Sequence, residues 1–318
     1  MNLTEADAAR AARLFDLEGI EPLGGFENAL FRSVSGGQVV RLTHTSRRST
    51  RMIDAEFEFM EHLADHGVPV VAPVRSVDGL LAEEMETDEG HTVVAACMTG
   101  APGAHRRAAD WSPAEIETYG STLGAMHAAA RSFEPVGAGR RPPWTDPIFD
   151  VGLGGGGDTP DDLVRRNREI LAAASEHAAG GTGLLIHQDA HGGNLFMTDD
   201  GAITVFDFDD SAYGTPTHDV AIVLFYWLIG RDLDLAAETR SFLSHFLRGY
   251  GRHSELPSDW PVGADLFLSY REIDIFWLIE MEPEEDSSPG ELRFMEGRRR
   301  RILEGVPYLG TPLADVLE

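Results

Sequence analysis

The sequence predicts an α+β protein with two lobes, a smaller one rich in β-strands and a larger one that is mostly helical. Strand patterns and one strong helix occupy the first hundred residues, whereas helical periodicity dominates the rest. A chain of 318 residues is long enough for two such lobes. It contains no stretch of about 18 apolar residues, so we expect no transmembrane helix.

The N-terminal lobe opens with a predicted helix over residues 4–17. Thr4 and Asp7 have the spacing of a capping box, in which each side chain bonds the backbone N–H of the other residue. Strand patterns follow over residues 21–34 and 38–43, and the glycines between them predict a hairpin turn. The lobe is therefore expected to begin with a helix and a β-hairpin.

One strong helix is predicted inside this lobe, over residues 51–65, where apolar side chains recur every three or four positions. Two further strands are predicted over residues 80–84 and 92–99. The second of these runs directly into a Gly/Pro-rich segment at residues 100–103, which is a candidate hinge.

The C-terminal lobe is predicted to be mostly helical. Helical patterns cover residues 112–130, 161–179, 220–230, 235–250, 263–280 and 291–303. Residues 133–160 are rich in Gly, Pro and Arg and are predicted to form a mobile insert. The consecutive arginines at 298–301 are expected to lie exposed on the final helix.

The charge balance argues against a basic surface that binds nucleic acid. The chain carries 53 Asp and Glu against 26 Lys and Arg, all of them arginine, for a net charge of −27. The acid excess favours cationic ligands by electrostatic steering, although a composition adapted to high GC content or to salt explains it as well. Cys97 is the only cysteine, and the N-terminus does not resemble a signal peptide, so we expect a cytoplasmic protein.

The most informative stretch is LLIHQDAHGGNLFMTDDGAITVFDFDD, residues 184–210, which predicts a short strand, a polar loop and a β-hairpin. The loop carries Asp189 and Asn194, and the end of the hairpin carries Asp207. The oxygens of Asn194 and Asp207 suit Mg²⁺, which takes few protein ligands and shares its shell with phosphates. Asp189 is then left to accept a proton or to orient a hydroxyl. This combination is what phosphoryl transfer from a nucleotide requires.

A second interpretation of the same loop is a metallohydrolase, with His187, Asp189 and His191 as alternating Zn²⁺ ligands. That interpretation leaves Asn194, Asp207 and the N-terminal third of the chain without a function. The nucleotide interpretation therefore accounts for more of the sequence.

The pattern H-x-D-x-x-x-x-N, followed thirteen residues later by D-F-D, resembles the catalytic segment of the aminoglycoside phosphotransferase and protein-kinase-like superfamily. The fuller string HQDAHGGNLF…FDFDD is most similar to its small-molecule branch. The resemblance implies a bilobal protein-kinase-like fold, with a nucleotide-binding lobe at residues 1–99, a hinge at 100–104 and a catalytic and acceptor-binding lobe at 105–318. It also implies transfer of the γ-phosphoryl group of ATP, with Mg²⁺, to a hydroxyl of a small molecule. GTP in place of ATP stays open.

The resemblance also assigns roles around the central segment. Asp189 is implied to be the catalytic residue, and Asn194 and Asp207 are implied to hold the metal. Asp219 is implied to be a buried structural residue that holds the backbone amides of the catalytic loop. Whether Asp209 binds metal or only shapes its loop stays open.

Five nucleotide-binding residues are implied by the same resemblance: Gly25, Asn28, Arg41, Glu56 and Met98. The first two belong to a glycine-bearing loop over the phosphates, and Met98 stands where hinge backbone meets adenine. Arg41 takes the place of a lysine that many members use to contact phosphate, and the two cations are not interchangeable. Its expected partner is Glu56, with Glu58 as the competing candidate.

The acceptor is less determined than the donor. A serine/threonine kinase of the stress-response type is an alternative, but only eleven residues separate Asp207 from Asp219, too few for a long activation segment. A nucleotide-binding pseudoenzyme is a further alternative. The insert at 133–160 is expected to cover the acceptor site, and the acids in 279–286 either bind a cationic acceptor or are simply solvated. The oligomeric state stays open.

Overall fold

The computed structural model describes residues 3–24, 28–137, 139–154, 159–179, 183–231, 234–281 and 287–318. The chain divides into two compact units, and neither is one continuous segment. Unit one comprises Met1–Ala104, Ala129–Arg141 and Leu195–Asp209, and unit two comprises His105–Ala128, Pro142–Asn194 and Asp210–Glu318. The functional lobes at 1–99, 100–104 and 105–318 stay a prediction.

The described strands, in chain order, are β1 (Ile20–Gly24), β2 (Ala29–Ser33), β3 (Gln38–His44), β4 (Pro73–Val74), β5 (Ala82–Glu86), β6 (Thr92–Thr99), β7 (Leu184–Ile186), β8 (Leu195–Met197), β9 (Ile203–Val205) and β10 (Ala212–Gly214). The described helices are α1 (Glu5–Leu14), α2 (Thr50–Asp65), α3 (Pro113–Ala130), α4 (Asp161–Ala178), α5 (Pro216–Leu228), α6 (Leu235–Tyr250), α7 (Trp260–Glu280), α8 (Pro289–Met295), α9 (Arg298–Glu304) and α10 (Leu313–Leu317). The α+β class, with a sheet-rich N-terminal region and a helical C-terminal region, is confirmed.

Local signals in the sequence fix several element ends. The predicted capping box is present at the start of α1, where the Asp7 N–H donates to Thr4 Oγ1 at 3.1 Å and the Thr4 N–H donates to Asp7 Oδ2 at 2.8 Å. Helix α2 is followed by Gly67, whose φ of 74° lies in the left-handed region that favours glycine. The capping box and the glycine after a helix involve residues only a few positions apart, so both can be recognised in the sequence.

Unit one is built on an antiparallel sheet in the order β1-β2-β3-β6-β4, with β5 also paired to β6. Strand β6 lies between β3 on one side and both β4 and β5 on the other. Its alternating side chains form one buried apolar cluster with side chains of β2, β3, β5 and α1 and with Phe15, which follows α1: Ala11, Phe15, Phe31, Val40, Leu42, Met85, Val93, Ala95 and Cys97. Burial of these side chains holds α1 against the sheet.

Unit two is helical, and α7 packs against α4, α5, α9 and α10. A close approach of α3 and α6 depends on glycine, because a Cβ added at Gly120 would overlap the carbonyl oxygen of Phe246. The same holds at Gly249, where a Cβ would overlap the carbonyl oxygen of Glu117. Within the described residues, no helix combines the length and the apolar character that a membrane span needs.

The prediction of a single final helix over residues 291–303 is wrong. Helices α8 and α9 are separated at Gly297, whose φ of 64° is left-handed and cannot continue a right-handed helix. The expected exposure of the arginines at 298–301 is also wrong for Arg298, which is largely buried and lies 2.6 Å from Glu272. Its guanidinium also covers the ring of Phe294, 4.5 Å from the centroid.

The prediction of a mobile insert over residues 133–160 is wrong for the part around Trp144. The Trp144 N–H donates to the Tyr213 carbonyl at 3.0 Å, and the Tyr213 N–H donates to the Pro142 carbonyl at 2.9 Å. The Trp144 ring is buried and lies 5.2 Å from the ring of Phe267 on α7. Residues 155–158 lie outside the described residues.

Candidate active site

The backbone of the loop after β7 is held by hydrogen bonds to a buried aspartate. The backbone N–H groups of His187 and Gln188 donate to the carboxylate of Asp219, at 3.0 Å and 2.7 Å. His127 Nε2 lies 3.0 Å from the same carboxylate. Gln188 has a φ of 67°, a strained conformation for a residue other than glycine, and these bonds hold it there. The structural role expected of Asp219 matches these contacts.

Asp189 follows directly, and its carboxylate is surrounded by donors. Arg271 Nη2 lies 2.6 Å from Oδ1, and Asn194 Nδ2 donates to Oδ2 at 2.9 Å. His191 Nε2 lies 3.3 Å from Oδ2. Burial by itself raises the pKa of this carboxyl, but the charges of Arg271 and the neighbouring histidines outweigh burial and lower it. Asp189 is therefore ionised at neutral pH and able to accept a hydrogen bond from a hydroxyl.

Arg271 is a site residue to which sequence reasoning gave no role. It lies on α7, 82 positions after Asp189, so no local spacing connects the two. The Tyr226 hydroxyl lies 2.6 Å from Arg271 Nη2, and the guanidinium lies 5.1 Å from the centre of the Tyr226 ring. Nη2 of Arg271 is thus bound to both Asp189 and Tyr226.

Asn194 is bound to the same loop through its amide nitrogen. Nδ2 donates both to the carboxylate of Asp189 and to its backbone carbonyl, each at 2.9 Å. Within the described ranges, the amide oxygen of Asn194 accepts no hydrogen bond. Asn194 thus keeps an oxygen available for a ligand, which is what a metal-binding role needs.

In unit one, the predicted ion pair between Arg41 on β3 and Glu56 on α2 is present. Two parallel hydrogen bonds join the groups, Nη1 to Oε1 at 2.8 Å and Nη2 to Oε2 at 2.7 Å. The side chain of Arg41 is 4% exposed and that of Glu56 is 0% exposed. Burial opposes the charge of Arg41, but Glu56 outweighs it and raises the pKa of the guanidinium. Glu58 instead accepts the Gly137 N–H at 2.7 Å.

The other residues with an expected nucleotide role also belong to unit one. Asn28 precedes β2, and its Oδ1 accepts the hydroxyl of Thr43 on β3 at 2.8 Å. Met98 lies near the end of β6 and is opposite Val39 of β3. Gly25 lies outside the described residues.

Asp207 and Asp209 follow β9, also in unit one. Asp207 has a φ of 65°, a left-handed conformation that is costly for aspartate. Asp209 is 4% exposed, and Arg47 Nη2 lies 2.7 Å from its Oδ2, while Arg48 Nε lies 3.6 Å from its Oδ1. Arg141 donates to its backbone carbonyl.

This arginine cluster around Asp209 was not foreseen from the sequence. Burial raises the pKa of the Asp209 carboxyl, but the nearby arginines, Arg41 foremost, outweigh it and lower the pKa. Asp209 was expected either to bind metal or to shape its loop. Because arginines already contact its carboxylate, the structure favours the role of shaping the loop that carries Asp207.

The structure therefore brings together Asp189 with Asn194 in unit two and Arg41 with Glu56 in unit one. The joint action of Asn194 and Asp207 on one metal stays a prediction. Among the described residues, no group of three or more His, Cys, Asp or Glu side chains has an arrangement able to hold a metal. The alternative of a Zn²⁺ site at His187, Asp189 and His191 gains no support.

Comparison with known proteins decides the family. The family model described as "Phosphotransferase enzyme family" matches residues 18–266. The chain belongs to the phosphotransferase enzyme family. An amicoumacin kinase of Bacillus subtilis (strain 168) is 30% identical to this phosphotransferase over 94% of the present chain and 92% of the relative.

Solved structures agree with this assignment. An amicoumacin kinase in complex with AMP-PNP, Ca²⁺ and "Ami" superimposes with a TM-score of 0.84 and 25% identity, covering 97% of this phosphotransferase and 95% of that chain. A microcompartment-associated aminopropanol kinase shares the fold, with a TM-score of 0.67, 19% identity, and coverage of 98% and 100%. The present phosphotransferase is thus a small-molecule kinase with a protein-kinase-like fold, which transfers a phosphoryl group to a hydroxyl.

Proposed function

We propose that the protein transfers the γ-phosphoryl group of ATP to a hydroxyl of a small molecule, with Asp189 as the catalytic residue. The observation that carries this proposal is the carboxylate of Asp189, held by Arg271 at 2.6 Å and by Asn194 at 2.9 Å. Because the pKa of this carboxyl is lowered, its main contribution is to orient the acceptor hydroxyl by accepting its hydrogen bond. Positioning and charge neutralisation supply most of the catalysis in phosphoryl transfer.

Mg²⁺ is the proposed metal, held by Asn194 and Asp207. Both residues offer hard oxygen donors, and within the described residues the amide oxygen of Asn194 accepts no hydrogen bond, so the donor set fits this ion. When bound, Mg²⁺ neutralises charge on the nucleotide phosphates. Asp209 is not assigned to the metal, because Arg47 and the rest of the arginine cluster already occupy it.

The proposed nucleotide site lies in residues 1–99, with 100–104 as the hinge. Arg41, fixed by Glu56, has a buried Nε–H without a hydrogen-bond partner among the described residues, and that donor is suited to a phosphate oxygen. Gly25, Asn28 and Met98 are proposed to contact the nucleotide as well. The lone, fully buried Cys97 and the use of ATP support a cytoplasmic location.

The acceptor is proposed to carry a cationic group. The net charge of −27 supports this through steering. The proposed role of the acids in 279–286 falls largely on residues 282–286, which lie outside the described residues. Amicoumacin is the first acceptor to test, because the chain is 30% identical to an amicoumacin kinase over 94% of its length.

The proposal is tested by Mg²⁺-dependent turnover of ATP, and of GTP in parallel, with amicoumacin and a panel of hydroxyl compounds. We expect Asp189→Asn to lower kcat by about 10²–10⁴. Asp200→Asn, in the exposed turn between β8 and β9, is the control that keeps wild-type kcat. A pseudoenzyme predicts no Mg²⁺-dependent turnover in the wild type, and an active Asp189→Asn variant would refute the catalytic assignment.

The metal assignment has a test of its own. We expect Asp207→Asn to raise the Mg²⁺ concentration needed for half-maximal rate, whereas Asp209→Asn lowers thermal stability at an unchanged Mg²⁺ requirement. The reverse pattern would transfer the metal-binding role from Asp207 to Asp209.

A further inference from the structure

The two carboxylate oxygens of Asp189 have different sets of contacts. Oδ2 accepts the amide N–H of Asn194 at 2.9 Å and lies 3.3 Å from His191 Nε2. Oδ1 contacts only Arg271 Nη2, at 2.6 Å, within the described residues. Because each carboxylate oxygen has two lone pairs, two donors fill Oδ2, and Oδ1 keeps one lone pair for a further donor. The side chain of Asp189 is 20% exposed, so a ligand can reach it.

Two contacts fix the orientation of the His191 ring. Its Nδ1 lies 2.8 Å from the backbone nitrogen of Gly193, whose N–H can only donate, so Nδ1 is the acceptor. The proton of the neutral ring is thereby assigned to Nε2, and because a charged ring also has a proton there, Nε2 is a donor in either state. The ring packs on that of Tyr226, with centroids 4.1 Å apart and planes inclined by 35°. Asp189 Oδ2 therefore meets an N–H group of His191.

This arrangement requires glycine at position 193. A Cβ added there would overlap Cε1 of His191 and lie 2.7 Å from its Nδ1, so any larger residue displaces the ring. A Cβ added at the adjacent Gly192 would meet nothing within 4 Å. The two glycines thus offer one substitution that moves the His191 ring and one that leaves it in place.

Tyr226 contacts both side chains that approach Asp189 from outside its own hydrogen bond with Asn194. The Tyr226 ring packs on His191, and its hydroxyl lies 2.6 Å from Arg271 Nη2. These contacts matter because the terminal torsion of an aspartate is broad, and rotation about it exchanges the positions of Oδ1 and Oδ2. Only donors held in fixed places can select one rotation of the carboxylate.

We propose that His191 is a positioning residue, which together with Asn194 fixes the rotation of the Asp189 carboxylate so that Oδ1 receives the acceptor hydroxyl. The inference rests on the proposed function, because it takes Asp189 as the residue that orients this hydroxyl. Phosphoryl transfer depends on that orientation, since the attacking and leaving oxygens must lie roughly in line. His191 acts by holding Asp189 and not by touching the reacting atoms.

Two substitutions at position 191 separate this role from a purely structural one. In His191→Gln the side-chain amide can place an N–H where Nε2 was, so the donor to Asp189 is kept. In His191→Asn the shorter amide can accept the Gly193 N–H in place of Nδ1, but it cannot reach Asp189. The positioning role therefore predicts an active Gln variant and an impaired Asn variant. A role confined to the loop backbone predicts the reverse.

The assay measures Mg²⁺-dependent ATP turnover by the full chain, with amicoumacin as acceptor and, in parallel, with water as acceptor. We expect His191→Asn to lower kcat about tenfold, the effect of losing one hydrogen bond to a charged group, with the KM for ATP within about twofold of wild type. His191→Gln should keep kcat within about threefold of wild type. Equal kcat in His191→Asn and wild type, or a larger loss in His191→Gln than in His191→Asn, would overturn the inference.

A second measurement needs no turnover. Nitrogen NMR of isotope-labelled histidine side chains distinguishes protonated from unprotonated ring nitrogens, and among the 12 histidines the signals of His191 are those lost in His191→Gln. We expect a protonated Nε2 in the wild type, shifted signals in Gly193→Ala and unchanged signals in Gly192→Ala. A neutral ring with its proton on Nδ1 would overturn the inference.

Failure of the inference and failure of the proposed function give different results. ATP turnover that is lost in Asp189→Asn but unchanged in His191→Asn overturns the positioning role and leaves the kinase assignment standing. A wild-type protein without Mg²⁺-dependent turnover refutes the kinase assignment, and the positioning role falls with it even when the NMR spectrum shows a protonated Nε2.

Discussion

The buried pair between Arg41 and Glu56 allows the sharpest test of unit one. The perturbation is Glu56→Leu, which removes the carboxylate and keeps an apolar side chain of similar size. The carboxylate is 0% exposed and makes two charge-assisted hydrogen bonds of 2.7 and 2.8 Å. Removing one partner from a buried pair typically costs about 3–5 kcal/mol, because the other charge is left unpaired.

The expected loss lies near the lower end of that range. Asp209 and Asp207 also act on Arg41 electrostatically and partly compensate its charge. We therefore expect Glu56→Leu to lower the free energy of unfolding by about 3 kcal/mol, measured by urea denaturation with the slope m held in common. Glu58→Gln is the matched control on the same helix. Glu58 makes one backbone contact, so its loss is about 1 kcal/mol or less.

The double variant Arg41→Met with Glu56→Leu shows whether the stability lost in Glu56→Leu comes from the unpaired charge of Arg41 or from altered packing. If the cost of Glu56→Leu is the unpaired guanidinium, the double variant is more stable than either single variant. Destabilisation of the double variant by the sum of the two single effects would refute the reasoning. The same double variant tests the role of Arg41, because a phosphate-binding arginine predicts a loss of nucleotide affinity even in a well-folded protein.

Three further predictions concern unit two and the sheet. Asp219→Asn should lower the free energy of unfolding by about 2–3 kcal/mol in urea denaturation and reduce kcat, because the charged acceptor of two loop N–H groups and the partner of His127 is lost. Burial raises the pKa of Asp274 to about 7, with Arg271 opposing and Asp150 adding to the shift. The folded protein therefore keeps a proton on Asp274 that the unfolded chain releases near pH 4. The stability that depends on protonated Asp274 is fully present below about pH 4 and is lost as the pH rises through 7. Asp274→Asn should accordingly be more stable than wild type at pH 8, by up to about 4 kcal/mol, but not at pH 4; a constant difference across this range contradicts the assignment. Burial also raises the pKa of the Cys97 thiol to about 12, so a thiol reagent should label it only after the sheet unfolds, and rapid labelling under native conditions would contradict its burial.

The secondary structure was largely predictable because its signals are short-range. Capping at Thr4 and the apolar repeat of α2 involve residues only a few positions apart, and the structure has both. The failed prediction at the C-terminus had a local signal as well. Gly297 interrupts the predicted helix, and a glycine inside a helical pattern is a recognised breaker.

How far apart two interacting residues lie along the chain decided whether the sequence could pair them. Asp189 and Asn194 lie five positions apart in one loop, so the sequence placed both in the candidate site. The pair between Arg41 and Glu56 became predictable only through a family resemblance, because fifteen positions of strand and helix separate the two residues.

The sequence alone thus determined the α+β class of the protein and its acid excess, and it predicted the position of the catalytic segment. Only the tertiary structure decided that Arg271 holds Asp189, that arginines occupy Asp209, and that Asp274 and Asn167 share a cavity. The physical reason is that propensity and capping act between neighbours in the chain. Charge and hydrogen-bond partners, in contrast, are set by the packing of segments that lie from 82 to 162 positions apart in the sequence.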